Sequence, residues 1–113
     1  LINTLLGLTF DRDTLRPSLG NGGGGLSGRA IHPVAVRAVY DVRQAHPDLP
    51  IVGVGGVASG WDAIELMVAG AQAVQVGTAS FADPRAAARI AGEMVTFATE
   101  REIARLADCN AVV

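Results

Sequence analysis

The amino-acid sequence predicts an α/β fold built on a parallel sheet, and two observations indicate it. Two short apolar segments, residues 51–54 and 73–76, each run into glycine and each precede a stretch with helical character. Continuous apolar character is typical of parallel strands that are covered on both faces. The predicted elements follow the order strand, hairpin, helix, strand, helix, strand, helix, which calls for a parallel sheet.

The first half of the chain supplies a strand, an excursion and a helix. Residues 1–6 predict a buried strand, and residues 9–19 predict a small hairpin or an extended excursion. Residues 20–28 are dominated by glycine, and we expect a loop too flexible for regular structure. Pro33 suits the first turn of a helix, which Pro47 closes off.

The second half begins with the strand at residues 51–54. Ser59 can cap the following helix, with Asp62 three positions later, and Gly70 can supply a left-handed exit at its end. The last strand lies at residues 73–76.

A final helix is expected to start at Pro84, and residues 100–106 predict one further helical piece. No domain boundary is visible, so residues 1–113 are expected to form one domain. A whole (β/α)₈ barrel needs about 250 residues. The 113 residues therefore predict only the C-terminal portion of a larger domain.

The composition narrows the classes of protein to consider. Half of the residues are apolar, the formal charge is −2, there is no lysine, and Cys109 is the single cysteine. The slightly negative charge does not indicate a nucleic-acid-binding surface. Because there is no lysine, this stretch can contain neither a lysine Schiff base nor a Walker phosphate-binding loop. One cysteine permits neither an internal disulfide nor a cysteine-rich metal site. With no signal peptide and no long apolar run, we expect a cytoplasmic protein that does not bind membranes.

Glycines stand at the ends of both apolar strands, as Gly55-Gly56 and as Gly77-Thr78. Glycine lets the backbone approach an anion closely, and the N–H groups that follow can point at it. Successive parallel strands are usually neighbours, so both pairs should lie side by side. They can then hold a phosphate without a cationic side chain, as the last two βα loops of (β/α)₈ barrels commonly do. Glycines that merely form tight turns are the alternative.

Two further positions suggest ligand contacts. Gly28 ends the glycine-rich segment just before a helix, where a backbone without side chains can approach a flat ring; a disordered linker is the alternative. Asn3 and Thr4 follow an apolar start, and the Asn amide matches the N–H and C=O edge of a pyrimidine or of an amide. A turn-forming Asn is an equal alternative.

The remaining candidates are weaker. His32 and His46 lie near helix ends, where a surface histidine is ordinary. Arg85 and Arg89 are four residues apart, which favours a solvated helix face. Cys109 is interpreted as a tail residue and not as a nucleophile.

Taken together, four segments resemble the C-terminal part of dihydroorotate dehydrogenases. They are Ile2-Asn3-Thr4, the run from Gly24-Gly25-Leu26-Ser27-Gly28 through Pro33-Val34-Ala35, Gly53-Val54-Gly55-Gly56-Val57 and Ala73-Val74-Gln75-Val76-Gly77-Thr78-Ala79. The glycine loop followed by a helix starting at proline resembles the class 1B form, which uses NAD⁺ through a partner subunit. Arg29 stands where many relatives are expected to have proline.

The resemblance implies strands 6 to 8 of an FMN-binding (β/α)₈ barrel. Ile2 would then lie against the flavin, and Gly28 would approach its ring or ribityl chain. Asn3 and Thr4 would bind the orotate ring. The FMN phosphate would be held by a group of four residues, Gly55, Gly56, Gly77 and Thr78.

The implied reaction is the oxidation of dihydroorotate to orotate in de novo pyrimidine biosynthesis. Class 1 enzymes use a cysteine base on a loop between earlier strands, so no catalytic residue is expected here, and this chain alone is expected to be inactive. The implied partners are an electron-transfer subunit with FAD and an iron–sulfur centre, and further copies or a missing half bound through an exposed barrel edge. Two alternatives remain: another FMN barrel, similar to dihydropyrimidine dehydrogenase or a 2-hydroxy-acid oxidase, or a non-catalytic flavin- or phosphate-binding half-barrel.

Overall fold

The structure is a computed structural model that describes residues 1–112. Within them lie four short strands, four α-helices, and two 3₁₀ segments at Arg29–Ile31 and Leu106–Val112. In chain order the strands and helices are β1 (Leu5–Gly7), β2 (Gly24–Leu26), α1 (His32–Ala45), β3 (Val52–Val54), α2 (Gly60–Val68), β4 (Ala73–Gln75), α3 (Ala79–Ala82) and α4 (Ala86–Glu100). No helix in this part of the chain combines the length and the apolar character needed to cross a membrane.

Strands β3 and β4 form a parallel pair, which confirms the central prediction. Their register places Val52 opposite Ala73 and Val54 opposite Gln75. The Leu1 nitrogen donates to the Val52 carbonyl at 2.9 Å, so the first residues run next to β3. Because β3 and β4 are parallel neighbours, their carboxyl ends reach the same edge of the sheet.

The main core lies between the strand pair and helices α1, α2 and α4. Val39 of α1, Leu66 of α2 and Ile90 of α4 are each at most 2% exposed and pack in one cluster with Ile51. Full burial of an apolar side chain of this size contributes roughly 1.5–3 kcal/mol. This cluster therefore fixes the helices against β3 and β4 and holds the ends of both strands in place.

Residues 1–6 do not form the single buried strand that the sequence predicts. Residues 1–4 lack regular strand structure, and β1 pairs antiparallel with β2 instead, which places Leu5 opposite Leu26. Alternate side chains of a two-stranded ribbon face opposite sides, and Leu6 is 92% exposed. The excursion predicted at residues 9–19 is confirmed as part of the hairpin that joins β1 to β2.

The glycine-rich segment is more regular than the sequence predicts. Gly24–Leu26 forms β2, and the expectation of an irregular loop is wrong at these three residues. The backbone of β2 passes so close to Thr4 that a Cβ on Gly25 would overlap the Thr4 side chain. Glycine in a strand often marks such a close approach, so crowding accounts for a strand that side-chain propensity disfavours.

The chain after α4 also differs from the prediction of helix over residues 100–106. Glu102 has a φ angle of 56°, in the left-handed region. Its N–H donates to the Thr99 carbonyl at 3.2 Å, and the N–H of Ile103 donates to the Ala98 carbonyl at 2.9 Å. These are the two hydrogen bonds of a Schellman motif, which ends a helix. The motif usually has glycine where this chain has Glu102, and this explains why the sequence does not reveal it.

The N-terminus of α2 is closed by the predicted cap. The Ser59 hydroxyl accepts from the Asp62 N–H at 3.2 Å, and the Asp62 carboxylate accepts from the Ser59 N–H at 2.8 Å and from the Ala58 N–H at 2.9 Å. Burial raises the pKa of the Asp62 carboxyl, but the hydrogen bonds with Ala58 and Ser59 outweigh it and hold the pKa below its usual range. Gly70 provides the predicted left-handed exit, with a φ angle of 125°.

Replacing Asp62 with alanine should lower the free energy of unfolding by about 1 kcal/mol at neutral pH, because two N–H groups lose their acceptor. The folded-state pKa of Asp62 is lowered, so its contribution is present above the unfolded-state pKa and is lost as the pH falls through the folded-state pKa. Urea unfolding at pH 7 and at about pH 2 should show the difference from the unaltered chain only at pH 7. Asp48→Ala removes an exposed carboxylate and is the matched control; an equal loss in both variants would contradict the capping role.

Candidate functional site

The carboxyl ends of β3 and β4 and the turn before α1 line a cavity of about 510 Å³. This volume falls within the range of roughly 300–1,000 Å³ that is usual for small-molecule sites. All the residues predicted as cofactor or substrate contacts line it, namely Ile2, Asn3, Thr4, Gly28, Gly55, Gly56, Gly77 and Thr78. The structure therefore brings together residues that lie up to 76 positions apart in the sequence.

Three segments meet closely at one wall of the cavity. A Cβ added to Gly56 would lie 2.7 Å from the Gly28 carbonyl oxygen, and one added to Gly55 would lie 3.4 Å from Cδ1 of Ile2. The Thr78 methyl group is 4.0 Å from the Cβ position of Gly28. The glycines therefore let the backbone come close to neighbouring segments at this wall.

Backbone donors are available at this wall. Within residues 1–112, the N–H groups of Gly56, Gly77 and Thr78 have no protein acceptor. A Cβ on Gly77 would meet no protein atom within 4 Å, so the space in front of this residue is open. N–H groups without an acceptor that line a cavity suit an anion such as a phosphate. The donor set therefore fits the phosphate expected from the sequence.

Asn3 and Thr4 lie in the same cavity, and both are exposed. Oδ1 of Asn3 accepts from the Thr4 N–H at 2.9 Å. This hydrogen bond orients the amide and leaves its NH₂ group able to donate to a ligand. The pair can therefore present a donor and a hydroxyl to one edge of a planar ring.

His32 is not the ordinary surface histidine that the sequence predicts. It is 7% exposed, its Nδ1 lies 2.8 Å from the Gly55 carbonyl oxygen, and its Nε2 lies 3.1 Å from Oε2 of Glu65. The side chain links the turn after β3 to α1 and α2. The only sign in the sequence is its place at a helix start, since Gly55 and Glu65 are distant in the chain. His46 is exposed, as predicted.

Arg89 is a second residue whose position the sequence does not reveal. Arg85 and Arg89 are both exposed as predicted, but Arg89 also lines the cavity and donates to the Ala58 carbonyl at 3.2 Å. Arg29 lines the cavity as well. The cavity that holds the expected phosphate donors is therefore also lined by two cationic side chains, although the glycine pattern does not require them. The only sign in the sequence is the place of Arg89 near the start of the last predicted helix, which corresponds to α4.

Cys109 is not the peripheral tail residue that the sequence predicts. It is 4% exposed and packs with Ile64 and Met67 in a second core cluster. It does not line the cavity, so it has no route to a ligand bound there. In the part of the chain that the structure describes, no group of three or more His, Cys, Asp or Glu side chains is placed to hold a metal ion.

Comparison with known proteins identifies the family. The model of the dihydroorotate dehydrogenase family matches residues 1–97. The chain belongs to this family. The catalytic subunit of dihydroorotate dehydrogenase B (NAD(+)) from Citrifermentans bemidjiense is 55% identical over 103 residues, which cover 91% of this chain and 33% of that protein. Dihydroorotate dehydrogenase A (fumarate) from Limosilactobacillus reuteri is 50% identical over 108 residues, covering 96% of this chain and 35% of that protein.

The solved structures confirm the fold class. The crystal structure of DHODH from Eimeria tenella in complex with ferulenol superposes with a TM-score of 0.76 at 28% identity, covering 94% of this chain and 29% of that one. The chain is thus α/β and forms part of a (β/α)₈ barrel, and it spans about a third of the length of the curated dihydroorotate dehydrogenases it matches. These relatives carry dihydroorotate dehydrogenase names, which gives no support to the other FMN barrels or to a non-catalytic half-barrel.

Proposed function

We propose that this chain supplies part of the FMN and substrate sites of a dihydroorotate dehydrogenase, which oxidises dihydroorotate to orotate in de novo pyrimidine biosynthesis. The observation that supports this is that every residue expected to contact flavin or orotate lines the same cavity. Family membership supports the activity. Because the chain spans about a third of its relatives, the activity of the whole protein is inferred from the family.

Enzymes of this family are flavoproteins, and the cavity fits FMN. Gly55, Gly56, Gly77 and Thr78 would hold its phosphate, since three of them offer N–H groups without a protein acceptor among residues 1–112. Ile2 would lie against the flavin, and the carbonyl and backbone of Gly28 would pack near the ring or ribityl chain. When bound, FMN supplies the hydride acceptor for the oxidation.

Asn3 and Thr4 would bind the substrate ring. The Asn3 amide is oriented by the Thr4 N–H, so its NH₂ group can donate to a ring carbonyl. The base that removes the C5 proton is not among these residues; in the class 1 enzymes that the chain resembles, a cysteine on a loop between earlier strands does this. The chain would therefore bind and orient the reactants without removing the proton.

The partners follow from the family and from the surface. The relative from Citrifermentans bemidjiense is named as a catalytic subunit, which supports an electron-transfer partner here, with FAD and an iron–sulfur centre passing electrons to NAD⁺. The name of the relative from Limosilactobacillus reuteri includes fumarate, so fumarate is the alternative to NAD⁺ as electron acceptor. Leu6 and Phe81 are each 92% exposed, which supports association with further copies or with the rest of a barrel. A cytoplasmic location remains a prediction.

The cofactor assignment is tested by a methyl group placed at the expected phosphate. Gly77→Ala should leave stability unchanged, because a Cβ there meets no protein atom within 4 Å, yet it should weaken FMN binding by about tenfold or more through a clash worth at least 1.4 kcal/mol. Quenching of flavin fluorescence measures the affinity. The unaltered chain should show no turnover of dihydroorotate by itself. In sedimentation it should associate with further copies of itself.

Gly92→Ala is the matched control for this substitution. Gly92 lies in α4, where a Cβ also meets no protein atom within 4 Å, and it does not line the cavity. Equal FMN affinity in both variants would contradict the phosphate site. Adding a polypeptide that contains the remaining two thirds of a relative's barrel then separates enzyme from scaffold, since only an enzyme would gain turnover.

A further inference from the structure

Arg89 joins three segments at the rim of the cavity. Its Nε donates to Asp83 Oδ2 at 3.1 Å, its Nη1 to Glu93 Oε1 at 2.6 Å, and its Nη2 to the Ala58 carbonyl at 3.2 Å. The other oxygen of Glu93 accepts from the Gly60 N–H at 2.5 Å. The guanidinium is therefore held between the loop after β3, the residues before α4, and α4 itself.

The charges at this rim do not favour an anion without Arg89. The hydrogen bond from Arg89 lowers the pKa of Asp83, and the Gly60 N–H together with Arg89 lowers the pKa of Glu93, so both carboxyls are ionised at neutral pH. Asp83 lines the cavity with Arg89. The two carboxylates and the one guanidinium give this cluster one net negative charge, while Arg29 is the other cationic residue that lines the cavity. Without Arg89 this charge would double and would repel a phosphate.

We propose that Arg89 is a positioning residue that makes the cavity selective for a phosphate-bearing flavin, by neutralising Asp83. The inference rests on the proposed FMN site and names Arg89 as the residue that makes this site prefer a flavin with a phosphate. A bracing role alone would act equally on flavins with and without phosphate. An electrostatic role acts only on the phosphorylated form.

The two roles are separated by comparing FMN with riboflavin, which lacks the phosphate. In the full 113-residue chain, Arg89→Gln should weaken FMN binding by about three- to fivefold, the upper part of the scale of a partly exposed ion pair, while riboflavin binding changes less than about twofold. Flavin fluorescence titration measures both affinities. High salt should reduce the effect on FMN, because screening weakens interactions between exposed charges.

Three further variants sharpen the comparison. Asp83→Asn combined with Arg89→Gln should recover most of the FMN affinity, because the repelling carboxylate is also removed. Arg89→Lys keeps the charge and should keep the preference for FMN. Arg85→Gln removes the same charge from the same region but outside the cavity, and it should change neither affinity. Circular dichroism confirms that each variant folds.

The outcomes distinguish this inference from the proposed function. If Arg89→Gln weakens FMN and riboflavin equally, or if removing the Asp83 carboxylate restores nothing, the electrostatic role is overturned. If the unaltered chain binds neither flavin, the proposed function fails. Inorganic phosphate, followed by the NMR shifts of the Gly56 and Gly77 amides, then decides the inference by itself: Arg89→Gln has to weaken phosphate binding, and an unchanged affinity overturns the role of Arg89.

Discussion

Replacing Gly56 with alanine should lower the free energy of unfolding by about 2–5 kcal/mol and abolish FMN binding. The φ angle of Gly56 is 66°, in the left-handed region that costs a residue with a Cβ. The added Cβ would also lie 2.7 Å from the Gly28 carbonyl oxygen and 2.9 Å from the His32 nitrogen. These neighbours are backbone atoms, so relief requires moving the turn after β3 or the start of α1.

Urea unfolding of Gly56→Ala and of the unaltered chain measures this loss. Gly92→Ala is again the control, because the same change in open space within a helix should be neutral or stabilising by up to about 1 kcal/mol. A loss for Gly56→Ala of less than about 1 kcal/mol, with flavin binding retained, would show that the turn can repack. The backbone wall described above would then not be rigid.

The positions of the glycine-ended strands could be predicted from the sequence because topology alone determines them. Parallel strands that are neighbours must end at the same edge, so Gly55-Gly56 and Gly77-Thr78 meet in any parallel arrangement of residues 51–54 and 73–76. The cap at Ser59 and the exit at Gly70 were equally predictable, since both depend on residues within one helical turn. Local chemistry and sheet topology therefore account for most of the site.

The regular structure that escaped prediction depends on contacts outside the segment concerned. Gly24–Leu26 has little strand propensity and becomes a strand because β1 lies beside it. Glu102 takes a conformation usually reserved for glycine, as Ile103 turns back onto the cluster that contains Cys109. In both places tertiary packing outweighs the preference of the residue itself.

The same reason applies to the polar contacts that the sequence does not reveal. His32 contacts Gly55 and Glu65, 23 and 33 positions away, and Arg89 contacts Ala58, 31 positions away. Nothing near either residue in the chain indicates these partners. These contacts form only when the helices pack against the strand pair, which brings His32 and Arg89 against the loop after β3.

The other large effect is expected at His32, where alanine should lower the free energy of unfolding by about 1–3 kcal/mol. The imidazole is 7% exposed, and its removal leaves the Gly55 carbonyl without its donor. Nδ1 of the imidazole lies 2.8 Å from the Gly55 carbonyl oxygen and its Nε2 lies 3.1 Å from Oε2 of Glu65, so the ring joins both segments. Because Gly55 precedes the expected phosphate donors, FMN affinity should fall as well.

His46→Ala is the matched control, since His46 also precedes a proline at an end of α1 but is exposed, and its loss should stay within about 0.5 kcal/mol. His32→Gln can still donate to the Gly55 carbonyl, so it should recover part of both the stability and the FMN affinity. Equal unfolding energies for His32→Ala and His46→Ala would show that the histidine bridge is dispensable. If stability falls while FMN affinity is unchanged, His32 supports the fold alone, and the turn after β3 keeps its shape through the packing of Gly56 against Gly28.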